Sequence, residues 1–228
     1  MKKIFVALLV ALFGAMPLFA DDVADVKAVI VKDLELGVKG DFAGAFALYA
    51  PDFQEIDSDG MKFNYEQTKW LVLSLDGKHP EEFLLLYATY ENKGAVLQAE
   101  ATASLRQVAR DPEFVKKYEE VTPQIVAAMK AAAALNLKTL EFVSVKVDGD
   151  RAVAVTEHDR KDENTGAIKR KIETITLRKV DGRWMICHVV SKNRMLSLKR
   201  AIVEPGQTTT TVRFSIASRS ISIVSESS

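Results

Sequence analysis

After Asn136 the spacing of apolar residues falls from three and four to two, and that change constrains the fold more than any other feature. Residues 140–147, 152–158, 168–179 and 184–190 alternate apolar with polar positions, the pattern of half-buried strands. Asp148-Gly149 and Asp181-Gly182 are two-residue turns of the kind that closes tight antiparallel hairpins. Glu163-Asn164-Thr165-Gly166 closes the middle hairpin more loosely. The second half is therefore predicted to be a four-stranded antiparallel meander.

The first half reads as helix. Val23, Val26, Ile30, Leu34 and Val38 recur at helical spacing, and Gly37 and Gly40 end the run. Asp41 then caps a second helix carrying Phe42, Ala45, Phe46 and Tyr49, which Pro51 should stop at Ala50. A short hairpin follows around Asp57-Ser58-Asp59-Gly60. Asn64 with Gln67 forms a capping box that opens a helix bearing Trp70. From residue 79 to 136 the chain turns to alanine and helix formers, and Pro80, Pro112 and Pro123 mark first helical turns of at least three helices. The dense alanine run from 127 to 134 is read as close helix packing rather than a membrane-active surface.

Lys2 and Lys3, an apolar run from 4 to 16 and Ala20 before Asp21-Asp22 have the layout of a secretory signal peptide. The run is short of the about 20 residues that a membrane span needs. The expected division is a leader at 1–20, one domain at 21–194 with a helical insertion at about 79–136, and an extension at 195–228. That extension is either an added hairpin or disordered. The expected location is periplasmic or secreted, with no membrane association once the leader is removed. Lys plus Arg and Asp plus Glu both number 31, so no basic stripe suggests a nucleic-acid partner. One cysteine, Cys187, allows neither an internal disulfide nor a cysteine-based metal cluster.

Two helices, the hairpin with Asp52, Phe53, Asp57, Asp59 and Gly60, a further helix and a long meander follow one another in a familiar order. The last hairpin carries Asp181, Gly182, Trp184, Ile186 and His188. On these residues the chain resembles the NTF2-like superfamily, in particular its SnoaL-like and DUF4440-type members, over roughly 23–75 and 139–192. The resemblance implies an α+β cone, a curved antiparallel sheet packed against N-terminal helices around an apolar cavity. The insertion at 79–136 departs from the compact family pattern. The fold itself implies little about chemistry, because one scaffold of this kind hosts many functions.

Candidate site residues follow from alternation. Pairing across Asp181-Gly182 sets Leu177 opposite Ile186 and Ile175 opposite His188, which places Trp184, Ile186, His188 and Glu173 on one face. Glu173 and His188 are then the ionisable pair of an apolar patch. Glu157 and His158 point to opposite faces, and the larger neighbours Val153 and Val155 favour Glu157 inward. Tyr49 and Trp70 are expected on the helix-side wall, as aromatics with a polar atom able to orient a ligand. Glu55, Asp57, Asp59 and Glu66 mimic the spacing of a calcium loop, but the entering helix is spoiled by Pro51 and Phe53 and a plain turn is expected. His79, His158 and His188 lack zinc spacing, and no nucleotide or nucleophile motif is present. No metal or cofactor is called for.

The leading functional expectation is an exported domain that binds a small, mainly apolar molecule at His188, Glu173, Glu157, Tyr49, Trp70 and Trp184, without catalysis. The alternative is an isomerase- or cyclase-like enzyme in which Glu173 or Glu157 abstracts a proton and His188 or Tyr49 stabilises the oxyanion. A third is an assembly domain that oligomerises through the open sheet face and the insertion helices, with a homodimer as one form.

Overall fold

The computed structural model describes residues 17–92, 97–161 and 165–194. Residues 1–16, 93–96, 162–164 and 195–228 lie outside them, and with them most of the expected leader and the expected extension. Helix α1 spans Pro17–Lys39 and buries Val26 and Ile30, as its apolar spacing predicts. Gly40, at φ +80, ends it where a side chain would be strained. The Asp41 carboxylate accepts from the Gly44 N–H at 2.8 Å and caps the short helix α2, Phe42–Phe46.

The expected second helix is cut short, because strand β1, Tyr49–Ile56, begins before Pro51. Pro51 falls where the register between β1 and its neighbour is interrupted, a place where its missing N–H disturbs no regular ladder. The turn after β1 is held by the Asp57 carboxylate, which accepts from the N–H groups of Asp59 and Met61, each at 2.9 Å. Strand β2 is Lys62–Asn64, and α3 is Tyr65–Ser74. Both bonds of the capping box are present, Gln67 N–H to Asn64 Oδ1 at 3.0 Å and Asn64 N–H to Gln67 Oε1 at 2.9 Å.

Three helices fill the next segment: α4 Pro80–Glu91, α5 Ala99–Val108 and α6 Pro112–Thr139. Pro123 does not start a helix as its sequence context suggests; it lies inside α6. A proline there removes one backbone donor. Next to it the buried Thr122 hydroxyl donates to the Tyr118 carbonyl at 2.7 Å, and the Tyr118 hydroxyl donates to the Ser74 carbonyl at 2.6 Å. That second bond ties α6 to the end of α3. Of the alanine run only Ala133 packs closely, 3.0 Å from where a Cβ on Gly37 would stand, while Ala127, Ala128, Ala131, Ala132 and Ala134 are exposed. Glycine on α1 and alanine on α6 let the two helices cross closely.

Strands β3 Glu141–Asp148, β4 Arg151–Lys161, β5 Ile168–Val180 and β6 Arg183–Arg194 form the predicted antiparallel meander. Strand β1 then joins β6 in parallel, giving a mixed six-stranded sheet of order β2-β1-β6-β5-β4-β3. Register shifts at Phe142/Ser144 and Thr176/Leu177 interrupt the ladders, and such bulges bend and twist a sheet around what it covers. The covered face buries Ala152, Ala154, Ile175, Leu177, Trp184 and Ile186 against Val26 and Ile30 of α1. Among the described residues no helix is long and apolar enough to cross a membrane.

Ala154 is fully buried, whereas Val153 on the same strand is 39% exposed. Ala154→Leu should therefore destabilise the protein by about 1–3 kcal/mol through overpacking, and Val153→Thr should change stability by no more than about 0.5 kcal/mol. Urea denaturation of both variants checks the order; equal effects would contradict the facing of β4.

Candidate functional site

The small residues of β4 determine where the site lies. Ala152 and Ala154 admit α1 onto the sheet, and the next inward positions of that strand, Thr156 and His158, are polar and buried. Beside them the elements part around a cavity of about 170 Å³. Half of its wall is apolar, from Ile30, Leu34, Phe53, Leu140, Ile175, Ile186 and Val189. The other half is polar: Asp33 from α1, Tyr49 and Glu55 from β1, Asn136 from α6, Thr156 and His158 from β4, and Glu173 from β5.

The electrostatics of the polar half are set by desolvation. Burial pushes the Asp33 carboxyl up to about 7. A hydrogen bond from Tyr49 opposes that rise, while the charges of Glu173 and Glu55 add to it. Glu55 is also raised, first by burial and then by Glu173 and Asp57, against the pull of Lys171 and Arg160. Burial likewise lifts the Tyr49 hydroxyl well above its ordinary value, so it remains a proton donor. Its ring stacks on Phe53 with centroids 4.5 Å apart, which fixes the direction of that donor.

Glu173 behaves differently. Burial works to raise it, but Lys171, His158 and the Ser191 hydroxyl outweigh burial and hold it below the usual carboxylate range. Lys171 Nζ lies 2.7 Å from Glu173 Oε1, and Ser191 Oγ donates to the same oxygen at 3.1 Å. His158 is 1% exposed, and desolvation lowers its pKa despite the nearby Glu173. Its Nδ1 stands 3.9 Å from Glu173 Oε2, too far for a hydrogen bond. Among the described residues, both ring nitrogens and the Thr156 hydroxyl find no hydrogen-bond partner. Native structures rarely leave such atoms unsatisfied, so a water or another polar group is expected to meet them.

The residues singled out from sequence are divided by this geometry. Glu173 and Tyr49 line the cavity together, although Tyr49 comes from a strand and not from a helix. Trp184 faces inward but lies in the core, its Nε1 donating to Asp22 at 3.3 Å, outside the cavity wall. Trp70 is half-buried on α3 and also does not line the cavity. His188 must be corrected. The bulge adds Cys187 to β6, so Thr176 rather than Ile175 stands opposite His188, and the imidazole falls on the opposite face from Glu173. Glu157 must be corrected as well. It lies on the outer face 3.3 Å from Arg170, because the face of β4 that meets α1 carries alanines, not the bulkier valines.

Asp33, Glu55, His158 and Lys171 were not anticipated. Asp33 carried a signal, an acidic residue three positions after Ile30 on the apolar stripe of α1. His158 shared its parity with Ala152 and Ala154, a small-residue track that marks a close helix contact. The inward position of Ser191 depends on the bulge and had no signal in the sequence. Among the described residues no group of three His, Cys, Asp or Glu is placed to hold a metal ion.

With this geometry in place, the chain can be set beside known proteins. No protein-family model and no curated protein matches it. Among solved structures it is similar to an NTF2-like protein of unknown function from Silicibacter pomeroyi, at 16% identity and a TM-score of 0.39, covering 77% of this chain and 98% of that one. It is also similar to an NTF2-like protein with a cystatin-like fold from Novosphingobium aromaticivorans, at 12% identity and TM-score 0.43, covering 82% and 90%. A ketosteroid isomerase-like protein from Erwinia carotovora matches at 13% identity and TM-score 0.36, over 75% and 95%. The architecture described above is α+β, with helices laid across one face of a mixed sheet and a cavity between.

Two outcomes follow for variants. Lys171→Met should destabilise by about 3–5 kcal/mol because it strands a buried carboxylate, and Glu173→Gln should partly rescue it. His188→Leu and Glu173→Gln, on opposite faces, should add within about 0.5 kcal/mol in a double-mutant cycle. Coupling between His188 and Glu173 comparable to that of Lys171 and Glu173 would contradict the bulge. Asp33, with its raised pKa, favours the fold fully below about 4, and that contribution fades as pH rises to about 7. Asp33→Asn should therefore flatten stability across that window and be more stable than the parent at pH 8, by on the order of 2–4 kcal/mol. Denaturation midpoints from pH 4 to pH 8 measure it.

Proposed function

We propose that the protein is an exported small-molecule-binding protein and that the cavity beneath α1 is its site. The observation that carries this reading is the pair of unpartnered residues, His158 and Thr156, buried at a cavity with half its wall apolar. An apolar body would cover Ile30, Leu34 and Ile186, and a polar end would meet the orphaned atoms. Binding of that kind requires no bond to be made or broken. It also differs from binding to a wholly apolar pocket, since the occupant needs at least one hydrogen-bonding group. Export rests on the leader composition of residues 1–20.

A second reading is favoured by one observation, the carboxyl of Asp33 at about 7. A group near neutrality can take up a proton and return it, the requirement for enolisation of a carbonyl compound. Asp33 would be the base, because Glu173 is held in an ion pair and Glu157 lies outside the cavity. The hydroxyl of Tyr49 beside it would be the available donor.

The test is a thermal-shift series with compact cyclic alcohols, ketones and amines, followed by proton NMR of a bound ketone in deuterated buffer. Concentration-dependent stabilisation that His158→Phe removes is the outcome expected of binding. Exchange of the ketone's α-protons, lost in Asp33→Asn, would establish the catalytic reading instead. No stabilisation by any compound would contradict both. For export, intact mass of the protein recovered outside the cytoplasm should begin at or near Asp21; recovery with Met1 in place would overturn it.

A further inference from the structure

The charges around the cavity do not balance, and the imbalance selects among occupants. Asp33, Glu55 and Glu173 all face the cavity. Of the basic groups, Lys171 is taken up by Glu173 at 2.7 Å, and Arg170 lies among Glu141, Glu157 and Asp159 on the outer face. The imidazole of His158 is neutral at neutral pH through desolvation. Among the described residues, Asp33 and Glu55 therefore have no basic side chain in contact. A neutral imidazole can accept a hydrogen bond, and both nitrogens of His158 are unpartnered at the same cavity.

We propose that the occupant is a small organic cation, a protonated primary amine on a compact apolar body, with its ammonium set against Asp33 and Glu55 and one N–H directed at His158. The inference rests on the small-molecule reading above and names the chemical class that the site would take. An ammonium supplies three donors, which suit two carboxylates and one imidazole nitrogen. Its apolar body would lie along Ile30, Leu34, Ile175 and Ile186. Anions are disfavoured by two carboxyls that no basic side chain among the described residues pairs with directly, although Lys171 and Arg160 act on Glu55 from further off. As for size, a dry cavity of about 150 Å³ accommodates benzene, so about 170 Å³ suits roughly seven non-hydrogen atoms.

The same arrangement makes binding depend on pH. Asp33 faces Tyr49 and Glu55 from β1, His158 from β4, and Glu173 with its partner Lys171 from β5. Asn136 from α6 and Val189 from β6 carry no charge. Glu55 feels Asp57 and Arg160 besides. A cation favours the ionised form of Asp33, so an arriving ammonium displaces the Asp33 proton to the buffer. An alkylammonium stays protonated well above pH 8, as lysine does at about 10.4. Affinity should then rise as Asp33 ionises through about pH 7.

Calorimetric titration of the purified protein with cyclohexylammonium chloride, cyclohexanol and sodium cyclohexanecarboxylate at pH 6 and pH 8 tests this. The ammonium should bind the tightest of the three, with Kd falling about tenfold from pH 6 to pH 8. In Asp33→Asn that dependence should vanish and the pH 8 affinity should fall at least tenfold, while Glu55→Gln weakens binding but keeps the slope. Melting transitions of both variants at or above the parent's would separate lost binding from lost folding. Cyclohexanol binding as tightly as the ammonium, carboxylate binding more tightly, or an ammonium Kd unchanged by pH would overturn the cation while leaving the small-molecule reading intact. Binding by none of the three overturns both.

Discussion

The packing of α1 against α6 on one side and the inner face of the sheet on the other positions the rest of the structure. Ala152 and Ala154, 2% and 0% exposed, share one buried cluster with Val26 and Ile30 of the helix. Small side chains on a strand let a helix axis approach more closely than valine would, and dispersion and burial then hold it there. The helix is fixed again further along, where Gly37 meets Ala133 of α6, and near its start, where Asp22 accepts from Trp184 and pairs with Lys179 at 2.7 Å. Between these fixed points the helix passes over Thr156, His158 and Glu173 without filling the space. The cavity is the part of the interface that close packing on either side leaves open.

That placement explains why the polar groups there behave unlike those elsewhere in the molecule. Arg170 gathers three carboxylates on the outer face, where opposite charge stabilises every member. Under α1 the same residue types have lost most of their water. Glu173 keeps its charge because Lys171 and Ser191 replace that water. Among the described residues Asp33 is met by the Tyr49 hydroxyl and no basic group, and its pKa is pushed up to about 7. Two carboxyls within one cavity thus differ in state because of what stands beside each, and such a split is typical of sites that bind or transfer charge.

The sequence was most legible where local chemistry decides structure. The turn at Asp181-Gly182, the capping box at Asn64 and Gln67, and the stripe of α1 all depend on neighbours within a few residues, and each appears as read, whereas the first hairpin turns one residue later than Asp148-Gly149, at Gly149-Asp150. The sequence was less legible where distant packing decides. Pro123 carries every mark of a helix start but is accommodated in α6 next to the buried Thr122 and Tyr118. Pro51 sits in a strand whose pairing is interrupted around it. The site suffered most from one inserted residue. Counting in twos from the Asp181-Gly182 turn is correct as far as Ile186, and Cys187 then reverses every side chain beyond it. His188 leaves the cavity face for that reason, while Glu173, reached along the regular β5, stays on it. For β4, bulk proved a poor guide to the inward face, because the space under a closely packed helix favours alanine over valine.

The central claim is that this interface withholds water from Asp33 strongly enough to keep its proton near neutral pH. Carbon-13 NMR of the side-chain carboxyl, followed from pH 3 to pH 9 and assigned through Asp33→Asn, observes that proton directly. The account predicts a titration midpoint close to 7, well separated from the ordinary aspartate range near 4. A midpoint near 4 would mean that water reaches the carboxyl freely, and would contradict the claim.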